Sequence, residues 1–397
     1  MLDPIFDAVK RFLAYLAAIP RRILGYVKVP PKTTAEGQPQ RFRFLKWSWH
    51  LMVASVVLLG LIYILPFFWV TAAISGWDIA YPASVLVKTE MVSADEQVSP
   101  AGAATDAKTC DRSQTVAMMA YLIDFDVNQN TWVPALPQSK FGFFGLPWEA
   151  TPWFDNKAAF QHGTLVALRR MAVELTDQIG RVRGTSEADP DLAAARGLLQ
   201  TDDELWWFNP LSDRLPFGPV TPAPSIYRDA MSAYDRFNAR LEDCGALYDT
   251  RADNLRQMID RISNDVGSVV DALSKRSNSR IYDTRSRMFV DGTGNDRAWL
   301  DFYADNRFNH ASGMMYAYHG LLQAVREDFS DVIKARGVAD IWDRMEAHVA
   351  EAANLDPLIV SNGREDGFLF PDHLAAMSQR MLRARANMTE VADVLDR

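Results

Sequence analysis

The chain of 397 residues has no HExxH pair, no CxxC, no GxSxG and no phosphate-binding loop. Motif-borne zinc, thiol-redox, serine-hydrolase and nucleotide chemistries therefore have no sequence support. Cysteine is scarce, with Cys110 and Cys244 the two present. The six histidines are His50, His162, His310, His319, His348 and His373. They do not fall at the spacing of a zinc site, which needs three or four ligands on suitable elements. No metal and no cofactor is predicted. A basic excess is missing too: 42 Lys and Arg stand against 50 Asp and Glu, a net charge of −8. That balance argues against a nucleic-acid partner. Strand-like alternation is scarce, and no fixed-period repeat is found.

The most informative absence is of charge itself. Residues 47–77 carry no Asp, Glu, Lys or Arg. About 20 apolar residues suffice to cross a bilayer core as a helix. The run predicts a single transmembrane helix, with Trp47 and Trp49 at one interface and Trp69 and Trp77 at the other. Pro66 would remove one helical hydrogen bond and kink it. Residues 1–46 hold nine basic and three acidic side chains, or +6, so the chain beyond the run carries −14. Basic flanks stay cytoplasmic. The N-terminus is therefore expected inside and residues 78–397 outside, in the periplasm of a bacterium.

Ala73-Ile74-Ser75 could pass for a signal-peptidase site. However, signal peptides have short basic regions and apolar cores of roughly 7–15 residues. An uncleaved signal anchor fits better. In the arm, Asp3-Pro4 opens a helical pattern with Ile5, Val9, Phe12, Leu13 and Leu16 on one face. An amphipathic helix on the inner leaflet is expected there, with packing on a partner protein as the alternative.

The expected organisation has four parts. Residues 1–46 form a basic cytoplasmic arm, and 47–77 the transmembrane helix. Residues 78–112 form an extended segment and polar linker, and 113–397 a helical periplasmic domain. Helical periodicity marks 113–124, 165–182, 227–244, 255–273 and 314–329, with shorter helices at 190–200, 340–353 and 372–396. Such stripes must be buried against one another. The fold class is mainly α: one N-terminal span plus a large irregular helical bundle. Cys110 and Cys244 lie in the exported part, where a disulfide can form. Two buried free thiols remain the alternative, since Cys244 continues an apolar helical stripe.

Candidate chemistry is sparse. Asp301, Asp305, Asn306, Arg307 and His310 form the densest charged cluster. If this stretch is helical, Asp301 and Asp305 share a face, and paired carboxylates can do acid/base work. Helix capping or pairing with arginine explains them as well. Residues 291–296 resemble a calcium loop only superficially, because Asp296 and Phe302 stand where Gly and Glu are needed. Aromatic residues crowd an irregular stretch that includes Trp132, Phe143, Phe144, Trp148 and Trp153, followed by His162. They form either a lid over the core or a surface for a ligand or partner. Asn128, Asn130, Asp253, Asn254, Arg276, Asn278 and Arg280 suggest a buried polar network.

Several stretches together resemble a known family. They are Val127–Pro134, Phe160-Gln161-His162-Gly163, Ala252-Asp253-Asn254-Leu255, Phe302-Tyr303-Ala304-Asp305-Asn306 and Phe368–Leu374. The chain resembles an uncharacterised bacterial family of inner-membrane-anchored proteins, known only as a domain of unknown function. The resemblance implies an envelope location and an N-terminal anchor, and it brings no catalytic residue.

The leading expectation is an interaction or scaffolding role in the envelope, with the lipid bilayer and an envelope protein as partners. One alternative is a hydrolase acting on a wall glycan or peptide, with Asp301, Asp305 and His310 as its candidate residues. Another is a periplasmic ligand sensor working through a membrane partner. A filled core with a broad apolar surface would mark a scaffold, and a deep charged cleft an enzyme or binder.

Overall fold

The computed structural model describes residues 52–58, 60, 70–71, 74–86, 110–136, 139, 150–151, 154–181, 187–207, 220–277, 280–283, 285–291, 301, 303–363 and 370–396. The chain divides into two units, Met1–Pro66 and Phe67–Arg397. In the first, residues 52–58 are helical, and Met52, Val53, Val56, Val57 and Leu58 are exposed. Among the described residues no helix is long and apolar enough to cross a membrane. The predicted span at 47–77 lies largely outside them, and the basic arm wholly so.

The second unit is a mainly α bundle. Its helices are α1 (Tyr81–Val85), α2 (Gln114–Asp124), α3 (Asn156–Glu174), α4 (Pro190–Leu199), α5 (Ala223–Glu242) and α6 (Ala252–Ser277). They continue as α7 (Ala304–Asp328), α8 (Ser330–Arg336), α9 (Ala339–Ala353) and α10 (His373–Leu395). A wider turn with π-type hydrogen bonding extends α2 through Phe125–Gln129 and α3 through Leu175–Ile179. Local chemistry sets the helix starts. Ser113 accepts the amide of Val116 at α2, and Asp372 that of Ala375 at α10. Asp189 caps α4 with Pro190 in its first turn.

The long helix α7 is the axis of the bundle. It packs against α1, α2, α3, α6, α9 and α10. Its buried residues include Ala311, Met314, Tyr316, Tyr318, Leu321 and Ala324, on every face. Its stretch 311–322 is buried on every face and so has nowhere to lie but the core. Two glycines decide how closely α3 and α7 approach. A Cβ on Gly163 would overlap the carbonyl of His310, and one on Gly313 that of Phe160. The two backbones therefore touch, as expected of Gly163 from its place near a helix start.

Three local expectations are corrected. The stretch after the uncharged run is not extended throughout, because Tyr81–Val85 forms a helical turn that Pro82 starts well. A short antiparallel hairpin, β1 (Arg280–Asp283) with β2 (Met288–Asp291), follows α6 in a region without strand signals in the sequence. Among the described residues the polar side chains do not form one network. Asn130 bonds the backbone of Ser75, Asn254 the carbonyl of Asp249, and Arg276 the carboxylate of Asp301.

Cys110 and Cys244 are bonded, with Cα atoms 5.4 Å apart at positions 134 apart in sequence. Helix α5 ends at Glu242, so Cys244 leaves the helical stripe, at a left-handed φ of 57°. The bond ties the entry of α2 to the exit of α5. Beside it the buried Asp328 accepts from Ser113 Oγ at 2.7 Å and from the amides of Gln114 and Thr115. A carboxylate at a helix N-terminus is well placed.

Candidate functional site

A cleft of about 560 Å³ lies between α3 and the N-terminal turns of α7, beside their glycine contact. From α3 it is lined by Ala158, Ala159, His162, Val166 and Arg169, with Asp155 just before the helix. From α7 come Asn306, Arg307 and His310, with Tyr303 just before it. Pro134, Ser139, Asp203, Glu204 and Arg276 complete the walls. The volume falls in the range of about 300–1000 Å³ typical of small-molecule sites.

Its charges are arranged by specific pairings. His162 Nδ1 hydrogen-bonds the carboxylate of Asp203, which Arg169 also approaches at 3.6 Å. Arg169 is held by the carbonyls of Leu199 and Thr201. Burial pushes the Asp203 carboxyl up, but the hydrogen bond and charge of His162, aided by Arg169, hold it at about 2. Arg276 grips Asp301 with two hydrogen bonds, of 2.9 and 2.5 Å, and lies over the ring of Tyr303. His310 is half-buried. Burial, with the charges of His162 and Arg307, pushes it down to about 4, so its imidazole is neutral at pH 7. Asp305 is pushed up to about 8 by burial and by the carboxylates of Asp155 and Asp301. It is therefore mostly protonated at pH 7.

The sequence candidates are dispersed by this geometry. Asp301 precedes α7 and Asp305 lies within it, so they do not share one helical face. Asp301 is engaged by Arg276 and by Asn362 Nδ2 at 3.1 Å. Neither carboxylate lines the cleft, whereas His310 does. His162 also lines it. Trp132 is buried, stacked edge-on against Tyr227, and its indole N–H donates to Asp203 O at 2.7 Å. It supports the floor of the 201–207 loop. Phe143, Phe144, Trp148 and Trp153 lie outside the described residues. Sequence reasoning missed Arg169, Asp203 and Glu204. The acidic run Asp202-Asp203-Glu204 before Trp206-Trp207 was the one signal available. Among the described residues no three His, Cys, Asp or Glu side chains group closely enough to hold a metal.

A second feature shares α7 with the cleft. The segment 74–86 lies on its C-terminal half as a strap. Tyr81 Oη donates to the carbonyl of Tyr316 at 2.8 Å and accepts the amide of Gly320 at 3.1 Å. It thus bridges the two backbone groups that an α-helix pairs. His319 Nε2 meets the carbonyl of Ile79 at 2.9 Å. Asn130 exchanges two hydrogen bonds with the backbone of Ser75, and Lys157 donates to the carbonyl of Val70.

Fold and site define a mainly α bundle with a polar interhelical cleft. The chain belongs to the bacterial family described as "Uncharacterized protein conserved in bacteria" (DUF2333), whose family model matches residues 148–397. That range covers α3 to α10 and most of the cleft, while the strap and Cys110 precede it. No curated protein and no solved structure matches the chain.

Proposed function

We propose that this chain is an anchored envelope protein whose helical body receives a small polar ligand in the α3/α7 cleft. The uncharged run 47–77 is the anchor, and the exposed apolar side chains of helical residues 52–58 suit a lipid-facing surface. An extracytoplasmic body agrees with the Cys110–Cys244 disulfide, a bond rare in reducing compartments. One observation carries the reading: a single helix, α7, lines the cleft with its first turns and grips the strap with its later ones. Ligand contacts that bias α7 are thereby joined to the segment that leaves the anchor. The sensor reading gains from this over the scaffold. The hydrolase reading built on Asp301 and Asp305 loses support, because Asp301 is already engaged.

The test is a photo-reactive side chain at Ala159, in the cleft wall, activated in living cells. A small-mass adduct on the purified chain is expected. A protein-sized adduct, or none, overturns the receptor reading.

A further inference from the structure

Apart from Arg307 and His310, the ionisable side chains Asp155, His162, Arg169, Asp203, Glu204 and Arg276 of the lining all have interaction partners. Asp301 is neutralised by Arg276, and Asp203 is engaged by His162 and Arg169. Asp305, behind the wall, holds a proton at neutral pH. Arg307 differs. It is exposed, it lines the cleft, and among the described residues its guanidinium has no ion-pair or hydrogen-bond partner. Next to it, one helical turn on, is His310, neutral and likewise unpartnered in its ring. The N-terminal ends of α3 and α7 add their positive dipole ends to the same space. An unpaired guanidinium in a concave site is a fork for a planar oxyanion. Tyr303, 46% exposed and backed by Arg276, offers an aromatic face beside it.

We propose that the ligand of this cleft carries a carboxylate or phosphate group, docked on Arg307 with His310 beside it, and a body that rests on Tyr303. This inference rests on the receptor reading and adds the chemical class of the ligand. The imidazole of His310 supplies one acceptor and one donor, so it can bond an oxyanion or a neighbouring hydroxyl.

The experiment is calorimetric titration of the full chain in detergent with three matched sugars. N-acetylglucosamine is neutral, N-acetylmuramic acid adds a carboxylate, and N-acetylglucosamine 6-phosphate adds a phosphate. At least one anionic sugar should bind about ten- to a hundredfold tighter than the neutral one, the weight of one charged hydrogen-bonded contact. Whichever binds better identifies the oxyanion. Arg307→Gln should abolish the preference with unchanged thermal stability, because the side chain is exposed, and Arg307→Lys should retain part of it. The proposal is overturned if none of the three binds, if all bind equally, or if Arg307→Gln keeps the preference. Equal binding of all three would leave the receptor reading standing and remove the oxyanion alone.

Discussion

The hydroxyl of Tyr81 accepts the amide of Gly320 at 3.1 Å, and a Cβ on that glycine would overlap the hydroxyl. The absence of a side chain at position 320 is thus what lets the strap seat in α7. Gly320→Ala should expel Tyr81 and release residues 74–86. Hydrogen exchange would show it as a loss of protection in the strap that leaves α6 and α10 protected. Tyr81→Phe keeps the ring but removes the bridge, and should destabilise by about 1–3 kcal/mol. If both variants exchange as the parent does, the strap is not held by this contact.

The crossing of α3 and α7 makes a contrast testable by one kind of substitution. Gly163 faces the backbone of His310, so Gly163→Ala forces the helices apart and should cost about 1–3 kcal/mol. Gly197, exposed on α4, has nothing within 4 Å of the place a Cβ would occupy. Gly197→Ala should be neutral or gain up to about 1 kcal/mol from helix propensity. Denaturant midpoints should therefore fall for the first variant and hold or rise for the second. An equal fall in both would deny the backbone contact.

Cys110 and Cys244 close a loop 134 residues long in sequence. Replacing both by alanine should cost about 2–5 kcal/mol, since the cross-link removes freedom from the unfolded chain. The loss should be matched by reducing the parent protein. An unchanged melting temperature under reductant would mean that the bond is not formed in solution.

The cleft has a characteristic pH dependence. Asp305 titrates near 8 folded and near about 3.9 unfolded, so the folded state alone holds its proton between them, and stability falls as pH rises through that window. His310 has the opposite sign. It titrates near 4 folded and about 6.5 unfolded, so stability rises with pH between those values. The two oppose each other below about pH 6.5, and above it only Asp305 of this pair still contributes. Stability should therefore decline from about pH 6.5 to 8, and Asp305→Asn should flatten the decline. Urea midpoints across that range check it; an equal decline in the variant would mean that Asp305 is ionised at neutral pH.

Much of the bundle was legible because its helices are long and their apolar residues recur at helical spacing. The stripe Leu255, Met258, Ile259, Ile262, Val266 is buried as read. What was not legible depends on distant parts of the chain meeting. His162 finds Asp203 through the loop that follows α4, and no local pattern announces that pairing. Asp301 and Asp305 sit four apart, as helical partners do, yet the helix begins between them at Ala304, which sends the two carboxylates to different neighbours. The turn at Tyr81–Val85 is too short to show a period, and its position is set by α7 rather than by its own residues.

The receptor reading requires a body held outside the cytoplasm by the run at 47–77. A reporter enzyme that folds only in the periplasm, fused after Arg397, checks this in a single step. Activity in intact bacterial cells, with a cytoplasm-only fluorescent reporter dark at the same fusion point, is the predicted result. A bright cytoplasmic reporter and a silent periplasmic one would contradict it.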